Sequence, residues 1–149
     1  MKERQKITGH YVLALAKPHG WHDPRLLNLL DEPHDPARVN DDTIIGQFLK
    51  LYGSEFRYDH SRGSWYWYDG AVWHIEKTQL AKSFIRGICK QFVDLEPKLK
   101  TLGYERAWAQ IERGARSDRR LAVTSDVWNT DDFLLSTPSG TVNLRTGEF

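Results

Sequence analysis

The sequence is poor in sulfur: its 149 residues include one cysteine, Cys89, and one methionine, Met1. A single thiol cannot close an internal disulfide or build a cysteine zinc cage, and it fits a reducing, cytoplasmic setting. Long apolar runs are also missing. None approaches the ~20 residues that span a bilayer. The run from Tyr11 to Ala16 is too short for the core of a signal peptide. Neither sign of charge dominates, because 21 Lys and Arg face 20 Asp and Glu, a net +1. Whole-chain charge therefore neither points to nucleic acid nor excludes it, and the local distribution has to decide. Catalytic constellations are absent too. There is no G-x-S-x-G elbow, and Cys89 falls in a helical stripe, which argues for burial rather than reactivity. Asp131 and Asp132 are adjacent, so on a strand they point to opposite faces and form no acid–base pair; ending the turn before Phe133 is their simpler role.

What the chain does have is aromatic mass: six Trp, six Tyr and six Phe. With 40% hydrophobic and 28% charged residues and a mean hydropathy of −0.61, this is a polar-surfaced globular chain of one-domain size. Residues 1–16 begin basic (Lys2, Arg4, Lys6) and end in an apolar run whose pattern fits a short strand or a helical turn. Residues 17–42 hold Pro18, Pro24, Pro33 and Pro36 among six acidic residues, which reads as an extended linker. Within it Arg25 to Leu30 can form one helical turn, with Asp23 as cap and Pro24 at the first helical position. Residues 1–40 are thus expected to be an arm and linker, and 41–149 the folded module.

From Asp41 the texture changes. Ile44, Ile45, Phe48, Leu49 and Tyr52 recur at helical spacing, capped by Asp42 or Thr43 and stopped by Gly53. Phe56–Tyr58, Trp65–Tyr68 and Ala71–Ile75 alternate around turns at Asp59–Gly63 and Asp69–Gly70, a hairpin pattern. Thr78 is expected to cap a helix whose stripe is Leu80, Ala81, Phe84, Ile85, Ile88, Phe92 and Leu95, ending before Pro97. A third helix spans about Glu105 to Ala115, with Trp108 and Ile111 inward. Ser117 is expected to cap a short fourth one through Val123. Phe133–Ser136, a turn at Thr137–Gly140 and Thr141–Arg145 form a second hairpin. A further strand begins at Glu148–Phe149 and leaves an edge without continuation, so the module is expected to be truncated at its C-terminal end. The fold class is α+β: small antiparallel hairpins packed against three to four helices.

The end of the chain carries a resemblance. The run Arg116-Ser-Asp-Arg-Arg-Leu-Ala-Val-Thr-Ser, then Trp128, then Leu134-Leu-Ser-Thr-Pro-Ser-Gly-Thr-Val-Asn-Leu-Arg-Thr-Gly147, resembles the domain just upstream of the superfamily-three helicase in phage and plasmid primase–helicases. Poxvirus primase–helicases carry a relative. The Trp65-x-x-x-Asp69-Gly70-x-x-Trp73 hairpin, Arg57-Tyr58 and the Thr43–Tyr52 helix fit the same module in the same order, so the resemblance covers roughly Asp41 to Phe149. Asn143 stands where the family often has Asp, and Arg119 where Pro is common. The resemblance implies a replication accessory domain whose partners are DNA, single-stranded or forked, and the primase and helicase domains of the same protein, with oligomers in the full-length protein. ATP and Mg²⁺ would belong to the helicase domain. No G-x-x-x-x-G-K-[ST] loop occurs in this chain, and Gly-Lys is absent altogether. No cofactor, metal or membrane is expected here.

Two features can carry nucleic-acid contact. Between Lys98 and Arg120, seven cations (Lys98, Lys100, Arg106, Arg113, Arg116, Arg119, Arg120) face only Glu105, Glu112 and Asp118. Clustered cations are what phosphate binding by counterion release requires, and Arg grips phosphate bidentately. The bland reading is a solvated helix face with Glu112–Arg116 as an i,i+4 pair. In the hairpin, Trp65 and Trp67 share one face and Tyr66 and Tyr68 the other. Trp65 and Trp73 are expected in the core, while Tyr66 or Tyr68 can stack bases. The nucleic-acid candidates are therefore Lys98, Lys100, Arg113, Arg116, Arg119, Arg120, Tyr66 and Tyr68. A stand-alone protein–protein module using the aromatic surface is the alternative. A metal enzyme on His19, His22, Asp23 and His34 is the weaker one, since a Pro-rich segment is a poor frame for zinc geometry.

Overall fold

The structure is a computed structural model that describes residues 25–26, 35–137 and 140–148. The basic start, the apolar run at 11–16 and the histidines at 19, 22 and 34 lie outside those residues. Three α-helices are described: α1 (Asp41–Tyr52), α2 (Leu80–Leu95) and α3 (Glu105–Ala115). A four-stranded sheet has the order β3–β2–β1–β4, with β1 (Phe56–Asp59), β2 (Ser64–Tyr68), β3 (Trp73–Ile75) and β4 (Ala122–Val123). A separate ribbon pairs β5 (Leu134–Thr137) with β6 (Gly140–Asn143). The class is α+β, as expected.

The helices bury one face of the larger sheet. Ile44, Phe48 and Tyr52 of α1, Phe84, Ile85 and Ile88 of α2, and Ile111 of α3 meet Phe56, Tyr58 and Trp65 of the sheet. Phe48, Phe56, Trp65 and Phe84 form a network of tilted and edge-on rings with centroids 5.5–6.3 Å apart, an arrangement that suits the ring quadrupole. Leu26, from the stretch read as arm, is also buried in this core. Beside it Arg25 donates to Glu55 at 2.6 Å and lies over the Tyr52 ring.

Several local expectations are corrected. α1 is capped by Asn40, not by Asp42 or Thr43. The Asn40 side chain accepts from the Thr43 amide, and the Thr43 hydroxyl accepts in return from the Asn40 amide, a closed capping box. α2 is not capped by Thr78. Gln79 takes the cap position with a left-handed φ of 60°, and the Glu76 carboxylate accepts from the Thr78 and Leu80 amides. Leu95, assigned to the apolar stripe, is exposed in the last turn. The Ser117–Val123 helix does not form. Asp118 accepts from the Arg120 amide and side chain, its carbonyl takes the Leu121 and Ala122 amides, and Leu121 plugs the core. The chain thus turns and enters β4. That strand runs parallel to β1, with Tyr58 opposite Ala122, so the larger sheet is mixed rather than built from antiparallel hairpins alone.

Candidate nucleic-acid interface

Glu112 organises the end of α3. It is buried and faces the sheet, where Trp65 Nε1 donates to Oε1 at 2.5 Å. Arg116, one turn on, grips the same carboxylate with Nε and Nη2 at 2.8 and 2.7 Å, and its guanidinium lies over the Tyr58 ring. The hydrogen bond from Glu112 holds the Arg116 pKa above its ordinary value. The cation expected to reach phosphate is therefore committed first to a buried anion. Its neighbours are not. Arg113 and Lys77 are exposed and, among the described residues, have no side-chain partner. They line, with Lys82, Arg116 and Glu112, a cleft of about 450 Å³ between α3, the start of α2 and the β1–β2 turn.

The rest of the basic run does not join that cleft. Lys98 and Lys100 sit on the 3₁₀ segment Pro97–Gly103, before the N-terminus of α3. Arg113 and Arg116 are at its far end, roughly 16 Å away for an 11-residue helix. Arg120 pairs with Asp118 at 2.8 Å and lines a different groove, of about 460 Å³, with Lys50 and Arg57. Arg119 is exposed in the turn. The sequence places seven cations in one stretch, and the fold does not gather them: the remaining one, Arg106, is exposed in the first turn of α3.

The face of the sheet away from the helices carries Arg57, Tyr66, Tyr68 and Trp73, as the register Arg57–Tyr66 and Tyr68–Trp73 requires. Trp73, expected in the core, is instead half-buried on this outer face, because its partner in the ladder is Tyr68 and not Trp65. Trp65 is core, as expected. Tyr66 is buried, and Trp128 covers it: the rings stack at 4.7 Å and 28°. Trp128 in turn meets Trp73 at 5.6 Å. Arg57 lies over Trp73 at 5.3 Å, and Arg62 donates to the Tyr66 hydroxyl at 2.7 Å. Three rings thus form a row with a guanidinium at each end. Beside it runs a groove of about 650 Å³ whose lining includes Arg62, Tyr68, Trp73, Trp128 and Asp131.

Asp59 fixes this row. It is fully buried, yet Ser61 and Arg62 donate their amides, Ser125 its hydroxyl and Trp128 its indole N–H to it, at 2.8–3.2 Å. Burial pushes its carboxyl up, but those hydrogen bonds together outweigh that and hold it below the usual carboxylate range. Asp59 escapes a search by motif, and Arg57 and Trp128, though part of the resemblance, were given no site role by it. Asp59 looks like a turn residue, and its two side-chain donors come from 66 and 69 positions downstream. The sequence signals for Arg57 and Trp128 were the strand alternation and their places in the resemblance.

Elsewhere, burial pushes the Cys89 thiol up to about 12, with the charge of Asp41 adding to the effect, so no thiolate is available. Asp131 accepts from the Phe133 amide and ends the turn there. Among the described residues no cluster of His, Cys, Asp or Glu is placed to hold a metal ion, and no helix is long and apolar enough to cross a membrane. A family model described as D5 N terminal like matches residues 46–149, more than half of the chain. No curated protein and no solved structure matches it.

Proposed function

The chain belongs to the D5 N terminal like family, the N-terminal domain of phage and plasmid primase–helicase proteins, and from that premise we propose that it is a non-catalytic accessory domain that contacts DNA and supports the helicase ring. The DNA half of the reading is carried by one observation: the cleft beside α3, also lined by Glu76 and Glu112, presents Arg113 and Lys77, which no carboxylate pairs among the described residues. Cations so placed gain more from a phosphate than those already paired, since no internal ion pair has to be broken. The supporting half draws on the β5–β6 ribbon and the residues flanking it, where Phe133, Leu135 and Leu144 are exposed, as a surface for the neighbouring primase or helicase domains.

Fluorescence anisotropy against salt tests the reading. Binding through phosphates weakens steeply as salt rises, while apolar docking does not. Arg113→Ala should weaken binding to every DNA sequence alike and reduce the log–log salt slope by about 1. Arg120→Ala, which removes an already paired cation, should change the slope less. DNA binding that is absent at low salt, or indifferent to salt, would leave the protein-docking alternative in its place.

A further inference from the structure

The outer-face row and the basic groove beside α1 are joined by one contact. Arg57 lines the basic groove with Lys50 and Arg120, and its guanidinium also lies 5.3 Å from the centroid of Trp73, which lines the aromatic groove. The same Arg57 is half-buried and donates only to the Gly53 and Phe56 carbonyls, both through Nη1. Its Nε and Nη2 have no partner among the described residues, and no carboxylate neutralises it. Burial pushes its pKa below the ordinary value. Lys50 and Arg120 also line the basic groove, Arg120 paired to Asp118. The aromatic groove carries Arg62 and one lining carboxylate, Asp131.

We propose that these two grooves form one track for single-stranded nucleic acid, with a phosphate held by Arg57 and the adjoining base against Trp73 and Tyr68. The proposal rests on the reading that this domain contacts DNA. Base faces are available only where the strand is unpaired, and aromatic platforms beside cationic grooves are the general solution for such strands. The rings are preset for this work. Trp128 is held by Asp59 at 2.9 Å, and Tyr68 and Trp73 brace each other at 5.2 Å. A duplex, whose bases face one another, gains nothing from these rings and is left to the cleft holding Arg113 and Lys77. The two sites therefore divide the two DNA forms.

The test is anisotropy titration of the whole chain with a labelled oligo(dT), a blunt duplex of the same length and a mononucleotide, using Trp73→Ala, Tyr68→Leu and Arg113→Ala. Trp73→Ala should weaken oligo(dT) roughly tenfold, the usual worth of one stacked base, and leave the duplex within about twofold. Tyr68→Leu, which keeps an apolar side chain on the strand, should weaken oligo(dT) in the same direction. Arg113→Ala should weaken the duplex more than oligo(dT). Binding of the mononucleotide as tight as oligo(dT) would overturn the proposal in favour of a nucleotide pocket. Photocross-linking of an iodouracil oligonucleotide to the wild-type chain does not depend on how the variants fold. Cross-links at Trp73, Tyr68 or Trp128 support the track, and cross-links confined to other peptides overturn it. If both ring variants bind oligo(dT) like the wild type, the track is wrong while DNA contact stands. If the wild type binds no DNA at low salt, the broader reading falls and the track with it.

Discussion

Removing the Arg116 side chain leaves Glu112 buried against Trp65 with no guanidinium beside it. A buried carboxylate stripped of its cation destabilises a fold by several kcal/mol, and because the Arg116 side chain is 38% exposed, solvent recovers part of that. Arg116→Ala should therefore cost about 2 kcal/mol in urea unfolding, whatever it does to DNA binding. Glu112→Gln, which keeps an acceptor for the indole and removes the charge, should cost less. An Arg116→Ala chain as stable as the wild type would mean that the ion pair is ornamental. The comparison matters because Arg116, Arg119 and Arg120 look equivalent in the sequence. Their surroundings make them three different residues: one tied to a buried anion, one exposed, one paired to its neighbour Asp118.

The elements were legible where period and propensity spoke together. α3 begins and ends at the residues the sequence suggested, and α1 and α2 differ chiefly at their caps. The caps were misplaced because the capping oxygen lies outside the apolar stripe: Asn40 precedes the pattern, and Glu76 reaches Leu80 from four residues upstream. The capping box at α1 predicts that Asn40→Ala lowers stability by about 1 kcal/mol, read as a shift in the urea midpoint at unchanged m-value. Both hairpins were visible from their turn residues. β4 was not, because two residues make no periodic signal. What turns 117–123 from helix into strand is Leu121 entering the core and the Tyr58 amide donating to the Leu121 carbonyl, contacts made across the fold. The aromatic row was half legible for the same reason: alternation sorts Tyr66 and Tyr68 onto one face, but only the tertiary fold brings Trp128 down upon Tyr66.

At the scale of the whole molecule, acid should act through three carboxyls. Asp59, Asp69 and Asp118 all lie below their ordinary value of 3.8 in the fold. For Asp69, burial works upward, but the Val72 and Ala71 amides and His74 hold it down to about 2. A lowered carboxyl adds stability above its unfolded pKa and loses it as pH falls through the folded one. The melting temperature should accordingly drop most steeply between about pH 4 and pH 2, and Asp69→Asn should flatten that limb. A melting temperature that is level across the window would contradict the assigned hydrogen bonds. The parallel pairing of Tyr58 with Ala122 has a consequence in time. An antiparallel neighbour can zip up as soon as its turn is made, but this edge must await a stretch of chain that includes two intervening helices. During synthesis, β1 therefore leaves the ribosome with one flank bare, and the seat for Trp128 is completed among the last events of folding.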